Sequence, residues 1–461
     1  MSLRLTRAVK HQSRPEVVPI RAKLFANLFG VLLGIAFLKF STPSVMERFI
    51  EPPTARFEWT QEALIQWAVL TWPVNLAYPL IGVVLIAGLI AVSHKNVLPR
   101  WVIVMPVLWL GWQFIAGTQS LNLELTRAVQ SHFLVCVLLF YLGLYCLSRE
   151  GLTGHFLWPL LVSWGVMSVV GLHQHFGGLQ GTRDYFWAYI YPMTPGVPPE
   201  LIKKMQSNRI FSTVFYPNSF AGALVLLSPP LLAWVWQAKE RLTWGARSFV
   251  CGMIVVATGS CLFWTGSKGG WLLALLVGLV ALLHQSFAKK LKILLVVILL
   301  VAGGAGFYLK NRAYLERGAT SDTARFDYWR AAWQTATGEP IHGSGPGTFG
   351  VVYQSIKKPE SEMARLTHND YLQQASDSGF PALLTYLATI GGTLWLTYRR
   401  LNWRGQPLAC GVWLGLLAWA VQSTFEFTLY VPALGWTAFA LMGWLLGSTA
   451  GNDSTTPAAR T

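Results

Sequence analysis

The sequence predicts an all-α integral membrane protein with about twelve transmembrane helices and a large outward-facing loop that contains amphipathic helices. Three observations predict it. Of 461 residues, 53% are hydrophobic and only 12% are charged, where soluble domains carry about 25% charged residues. Apolar runs long enough to cross a bilayer recur along the whole length. The net charge of +16 collects in alternate connections between those runs. A basic chain also suits nucleic acid, but no recognition module is visible, and none is expected as a partner.

The first element is a basic tail, residues 1–23, with Arg4, Arg7, Lys10, Arg14, Arg21 and Lys23. The apolar run behind it continues to Phe40. It is long for a signal-peptide core and no small-x-small cleavage site follows closely, so a retained first span is expected. Nine spans fall within 24–309, at 24–40, 74–93, 101–116, 129–147, 156–174, 215–236, 248–264, 270–287 and 292–309. Three more fall within 380–448, at 380–397, 408–425 and 430–448, before a polar tail at 449–461. Segment 63–72 is a candidate interfacial helix. The five cysteines all lie in apolar runs without metal spacing and read as small core residues.

Orientation follows from Lys and Arg in the short connections. With the N-terminus in the cytoplasm, "SHKNVLPR", "SREG", "AKERLTWGAR", "AKKLK", "YRRLNWRG" and both tails lie inside. Together they hold more than half of the 36 Lys and Arg residues. Both termini are therefore expected in the cytoplasm. Two long loops, at about 177–214 and 310–379, then face outward and are the places to look for function. No internal repeat or inverted symmetry is visible. Twelve spans also suit a transporter, but polar residues gather in one outward loop rather than at the midplane.

In the second loop, "SDTARFDYWRAAWQTATG" reads as an amphipathic helix, started by Ser321 or Asp322 and ended by Gly338. Arg325, Trp329, Ala332 and Trp333 recur on one expected face. "IHGSGPGTFG" follows, too rich in Gly and Pro for a helix; it lacks the Lys-Ser/Thr ending of a nucleotide loop and reads as a turn. Next comes "RLTHNDYLQQASDSG". Thr367 and Asp370 have capping-box spacing, which puts Thr367 at the N-cap, His368 in the first turn and Gly379 at the stop. A helix N-terminus disfavours imidazolium, and a neutral imidazole suits a general base. A surface histidine in a cap gives the same pattern. Asn369 either orients His368 or fills a turn, and Asp370 reads first as a cap.

Arg209, Lys268, Arg325 and Arg330 approach the same outer face from distant parts of the chain. Cations there suit a phosphate or diphosphate, although snorkelling to headgroups accounts for each one alone. Arg183, Lys203, Lys204, Lys357 and Lys358 read as solvated charges, and His342 as a loop residue. His132 and His284, in or beside spans, read as satisfied. Glu426, in "STFEFTLY" between the last two spans, is a functional candidate without an assigned role. No D-x-D, H-E-x-x-H or paired carboxylate is present, so neither a metal site nor a cofactor is expected.

Four stretches in order, "RIFSTVFYPNSFAG", "TGSKGG", "RFDYWRAAWQTATGEPIHGSGPGTF" and "HNDYLQQASDSGFPALLTYL", resemble the O-antigen ligase and polymerase superfamily of bacterial envelope glycosyltransferases. They cover roughly 205–395. The resemblance implies an enzyme of the bacterial inner membrane whose outward loops are periplasmic. It implies an inverting, metal-independent transfer of a glycan from an undecaprenyl-diphosphate carrier to an acceptor hydroxyl. In ligases that acceptor is lipid A–core; in polymerases it is another carrier-linked glycan, and relatives glycosylate proteins. On this chain His368 matches the family base, Arg325 the loop arginine, and Arg209 the basic residue ahead of Pro217 and Asn218. Lys268 stands where the family usually has arginine, and lysine cannot form a bidentate fork with phosphate. Arg330 is expected to bind the diphosphate with Arg209 and Lys268, and Asn369, Asp370 and Asn218 are the supporting residues. Trp187, Trp329 and Trp333 suit either sugar stacking or the interfacial belt.

Overall fold

The computed structural model describes residues 18–49, 71–91, 98–149, 151–192, 202, 205–214, 216–316, 320–359 and 361–450. The interfacial segment 63–72 lies almost wholly outside the described residues, as do Lys203, Lys204 and most of the two tails. No strand occurs among the described residues.

The helices in order are α1 (Ile20–Lys39), α2 (Ala77–Ala91), α3 (Arg100–Gly117), α4 (Leu123–Leu142), α5 (Thr153–His173) and α6 (Leu179–Tyr185). Then come α7 (Pro217–Gln237), α8 (Trp244–Thr265), α9 (Lys268–His284) and α10 (Lys289–Glu316). The second loop contributes α11 (Thr320–Gly338) and α12 (Phe349–Ile356); α13 (Asp370–Arg400), α14 (Pro407–Gln422) and α15 (Pro432–Thr449) complete the chain. Among the described residues, nine helices are long and apolar enough to cross a membrane. The shorter apolar helices α9 and α14, with α15, stand where the other three expected spans lie.

α15 is apolar all round and buried without a break from Pro432 to Gly447, so it is the central helix. It meets α4 backbone to backbone. A Cβ on Gly443 would collide with the Phe140 carbonyl, and one on Gly143 with the Ala440 carbonyl; small residues allow this approach in apolar surroundings. α7 packs along α14, α1 along α5, and α13 along α3. At the other extreme α10 packs on α9, and none of its residues from Lys289 to Arg312 is buried. Its aliphatic surface faces lipid in a membrane. All five cysteines are free thiols, four of them buried.

The second loop folds onto the bundle through a small core of its own, Tyr328, Ala331, Ala332, Phe349, Tyr353 and Ala364. The side of α11 that packs on this core is set by small residues, with Trp329 partly buried against it. Tyr328, Ala331, Ala332 and Ala336 are the buried positions, Arg325 lies at their edge, and Trp333 is exposed beside Phe380. Alanines let α11 approach closely; an indole at position 333 would hold it off. α11 also begins at Thr320, before Ser321 and Asp322.

α13 corrects the capping assignment. Asn369, not Thr367, is its N-cap: the Asn369 side chain accepts from Leu372 N at 3.0 Å. His368 precedes the helix with φ of 53°. Gly379 interrupts α13 rather than ending it, with φ of 77°, and Pro381 follows. The half-helix before the break is polar yet buried: Asp370, Gln373, Gln374, Ser376, Asp377 and Ser378 all lie inside.

The first loop is also more structured than a solvated connection. Arg183 donates from Nε to Met205 O and from Nη2 to Ser207 O and Asn208 Oδ1, so it ties the loop together rather than standing in solvent. Lys357 likewise donates to Ser361 O at 3.0 Å.

Candidate active site

Arg209 sits on the approach to α7 and its side chain reaches the end of α8. Its Nε donates to Thr265 O at 2.6 Å. The sequence "TGSKGG" makes room for it. Gly266 ends α8 in the left-handed conformation, φ 60°, and a Cβ there would press on the Arg209 side chain at 3.3 Å. Ser267 then caps α9 by accepting from Gly270 N at 3.1 Å, which leaves Lys268 in the first turn of α9. Arg209 Nη2 donates to Asn218 Oδ1 at 2.6 Å, and Asn218 Nδ2 donates to Glu426 Oε1 at 2.6 Å. Asn218 thus relays between a guanidinium and a carboxylate that are far apart in sequence.

Glu426 is the hub. Arg325, from α11, donates through Nη2 to Oε1. His368 Nδ1 lies 3.1 Å from Oε2. The Glu426 side chain is 6% exposed, against 19% for Arg325 and 30% for His368. Burial alone would raise the Glu426 carboxyl, but the hydrogen bond and charge of His368, the charge of Arg325 and the Asn218 amide together hold it below its ordinary range. Burial is the largest influence on Arg209 and lowers it, with Glu426 opposing and Arg325 adding; a guanidinium stays charged regardless. An ionised carboxylate only accepts, so the neutral form of His368 that pairs with it carries its proton on Nδ1 and has its lone pair on Nε2. Tyr328 stacks over the His368 ring at 6.0 Å and Phe427 meets it edge-on at 4.7 Å, which fixes the ring plane. One carboxylate therefore faces two guanidiniums and an imidazole, and the cluster suits an anion beside a positioned base.

Of the expected residues, His368, Arg325, Arg209 and Asn218 come together. Lys268 is half-buried nearby; its neighbour Gly269 packs so closely that a Cβ would collide with Phe425, beside Glu426. Arg330 stays outside the network, exposed and paired with Asp327 at 3.3 Å. Asn369 works as the helix cap. Asp370 is buried and clamps the loop that presents Glu426: its N donates to Ser423 O at 2.8 Å, and its Oδ2 accepts from Leu429 N at 2.8 Å and Thr428 Oγ1 at 3.0 Å. Among the described residues no group of three or more His, Cys, Asp and Glu is placed to hold a metal ion.

Sequence reasoning gave no role to Asp377, whose partner is the glycine loop. Gly343, Gly345 and Gly347 all have positive φ. Gly347 N and Phe349 N donate to the two Asp377 carboxylate oxygens at 2.8 and 3.0 Å. The glycine loop thus cradles an anion with its backbone N–H groups, and that anion is the chain's own carboxylate. His342 stacks on Trp112 as a loop residue. His132 bonds Leu429 O through Nε2.

A family model described as O-antigen ligase matches residues 253–387. The resemblance is to the O-antigen ligase superfamily. The matched stretch contains Lys268, Arg325 and His368, while Arg209, Asn218 and Glu426 lie outside it and join it only in space. The chain is also similar to ATP synthase subunit a of Staphylococcus saprophyticus subsp. saprophyticus, 26% identical over 155 residues, 31% of this chain and 62% of that protein. The match to ATP synthase subunit a of Staphylococcus aureus strain JH9 is 24% identical over 167 residues, 32% of this chain and 68% of that protein. The chain thus spans under two thirds of the first of these relatives.

Proposed function

We propose that this chain is an inverting, metal-independent glycosyltransferase of the bacterial inner membrane. It has twelve spans and cytoplasmic termini, and it works at the periplasmic face. It takes a glycan from an undecaprenyl-diphosphate carrier and ligates it to a hydroxyl of lipid A–core. The observation that carries this reading is the convergence of Arg209, Arg325 and His368 on Glu426, from segments over two hundred residues apart in the case of Arg209 and Glu426.

His368 Nε2 takes the proton of the acceptor hydroxyl as its oxygen attacks the anomeric carbon. The new glycosidic bond forms on the face opposite the bond to diphosphate, which breaks with its electron pair on the phosphate oxygen. Arg209, Arg325 and Lys268 are fixed positive charge for that leaving group, in place before charge develops. Glu426 holds the His368 tautomer and stabilises the imidazolium that forms.

The test is complementation of a ligase-null strain. Wild-type chain restores polymer-capped lipopolysaccharide, while His368→Ala inserts normally and leaves lipid-linked polymer uncapped. Full capping by His368→Ala removes the base assignment. Restoration of chain length without capping assigns polymerisation instead.

A further inference from the structure

A cavity of about 490 Å³ lies against Asn208, the residue before Arg209. Arg183, Lys310, His175, Trp264, Gln180 and Asn208 line it. Its lining contains two cationic side chains and no carboxylate; Asp184, nearby, is held by Gln180 Nε2 at 2.8 Å. The cavity is built rather than incidental. Arg183 is locked by three bonds through Nε and Nη2, and Nη1 makes none of them. Lys310 is held with its ammonium 3.7 Å from the Phe263 ring centre. His175 lies flat on Trp264, ring centres 3.9 Å apart and planes 13° apart, a rigid aromatic wall.

Its place in the fold gives it meaning. Asn208 and Trp264 line the cavity; the next residues, Arg209 and Thr265, bond each other, and Arg209 reaches Asn218 of the Glu426 cluster. Ile210 N donates to Trp264 O at 3.2 Å, so the two strips of chain form one shared wall. A ligand in the cavity would touch the residues that directly precede Arg209 and Thr265 in the chain. Aromatic planes with amide and hydroxyl-binding groups suit a sugar ring, and two cations in the lining without a carboxylate favour negative charge on it.

We propose that this cavity is a glycan subsite for a sugar carrying an anionic substituent, phosphate or carboxylate, on either the donor or the acceptor chain. The proposal rests on the transferase reading but is tested apart from it. The measurements use the full chain in detergent, with Lys310→Gln and the conservative Lys310→Arg. A phosphorylated oligosaccharide and its phosphatase-treated counterpart are titrated as probes by calorimetry. Lys310→Gln weakens binding of the phosphorylated probe about tenfold, Lys310→Arg restores it, and the neutral probe binds both alike. In transfer assays the KM of the acidic substrate rises by the same factor with kcat unchanged; whether donor or acceptor KM moves identifies the chain recognised. Equal binding of the phosphorylated probe by wild type and Lys310→Gln overturns the subsite. Charge-dependent binding without any glycan transfer keeps the subsite and overturns the transferase reading instead.

Discussion

His368 is held at both its backbone and its ring. A φ of 53° is left-handed for a side-chain-bearing residue, a conformation that costs about 1–3 kcal/mol and persists where the surroundings impose it. Here Thr367 and Asn369 impose it, with Thr367 Oγ1 donating to Asn369 O at 2.7 Å. His368→Ala is expected to lower kcat for transfer about 10²–10⁴-fold, with little change in donor KM, measured with purified protein. Glu426→Gln isolates the hub. The folded carboxyl titrates below its ordinary 4.5, so its stabilising contribution is complete above that pH and is lost as pH falls through the depressed value. Wild type therefore loses melting temperature more steeply than Glu426→Gln between pH 4.5 and lower pH in thermal unfolding. Parallel losses contradict the assignment. Arg209, Arg325, Asn218 and His368 were legible because each sits in a short quoted motif. Glu426 stood out as an acid in an apolar setting, but its role was not legible, since its partners arrive from three other helices or loops. Asp377 gave no signal, because two of its donors are the backbone N–H groups of Gly347 and Phe349, which carry no letter in a sequence, and Tyr430 joins them only in the fold.

At the scale of elements, helix positions were readable from apolar runs, since a spanning helix needs a long one. Register and caps were less so. Thr367 and Asn369 are both good N-cap residues, and only the bond to Leu372 N decides between them. The face of α11 was set by which side chains are small enough to approach α13, which periodicity does not encode. The break in α13 makes a sharp prediction. Gly379→Ala forces an alanine into φ of 77° and drives its Cβ into the Ile341 carbonyl. It is expected to lower the thermal unfolding midpoint in detergent severely, whereas Gly391→Ala, with open space around it, leaves the midpoint within error. Asp377→Asn replaces one acceptor oxygen with a donor facing Gly347 N or Phe349 N, and a loss of about 1–3 kcal/mol follows from the unsatisfied pair. An unchanged melting curve for Asp377→Asn contradicts the cradle.

For the whole molecule, the distribution of Lys and Arg is the ground for the proposed orientation, and the proposed transfer reaction needs the Glu426 cluster on the outer side. In a cysteine-free background, Ser355→Cys in α12 is expected to react with an impermeant maleimide added to intact spheroplasts. Arg404→Cys, between α13 and α14, reacts only after permeabilisation. Reversed labelling would place the Glu426 cluster in the cytoplasm. The gathering of two arginines, a histidine and a glutamate into one transfer site is tested most directly by single-turnover transfer. Purified protein, with chelator present, is mixed with a defined undecaprenyl-diphosphate glycan and lipid A–core. Wild type is expected to form the inverted glycosidic product and release undecaprenyl diphosphate, with His368→Ala slowed by at least about a hundredfold. Transfer by His368→Ala at the wild-type rate, or no transfer by wild type until a divalent metal is restored, would contradict it.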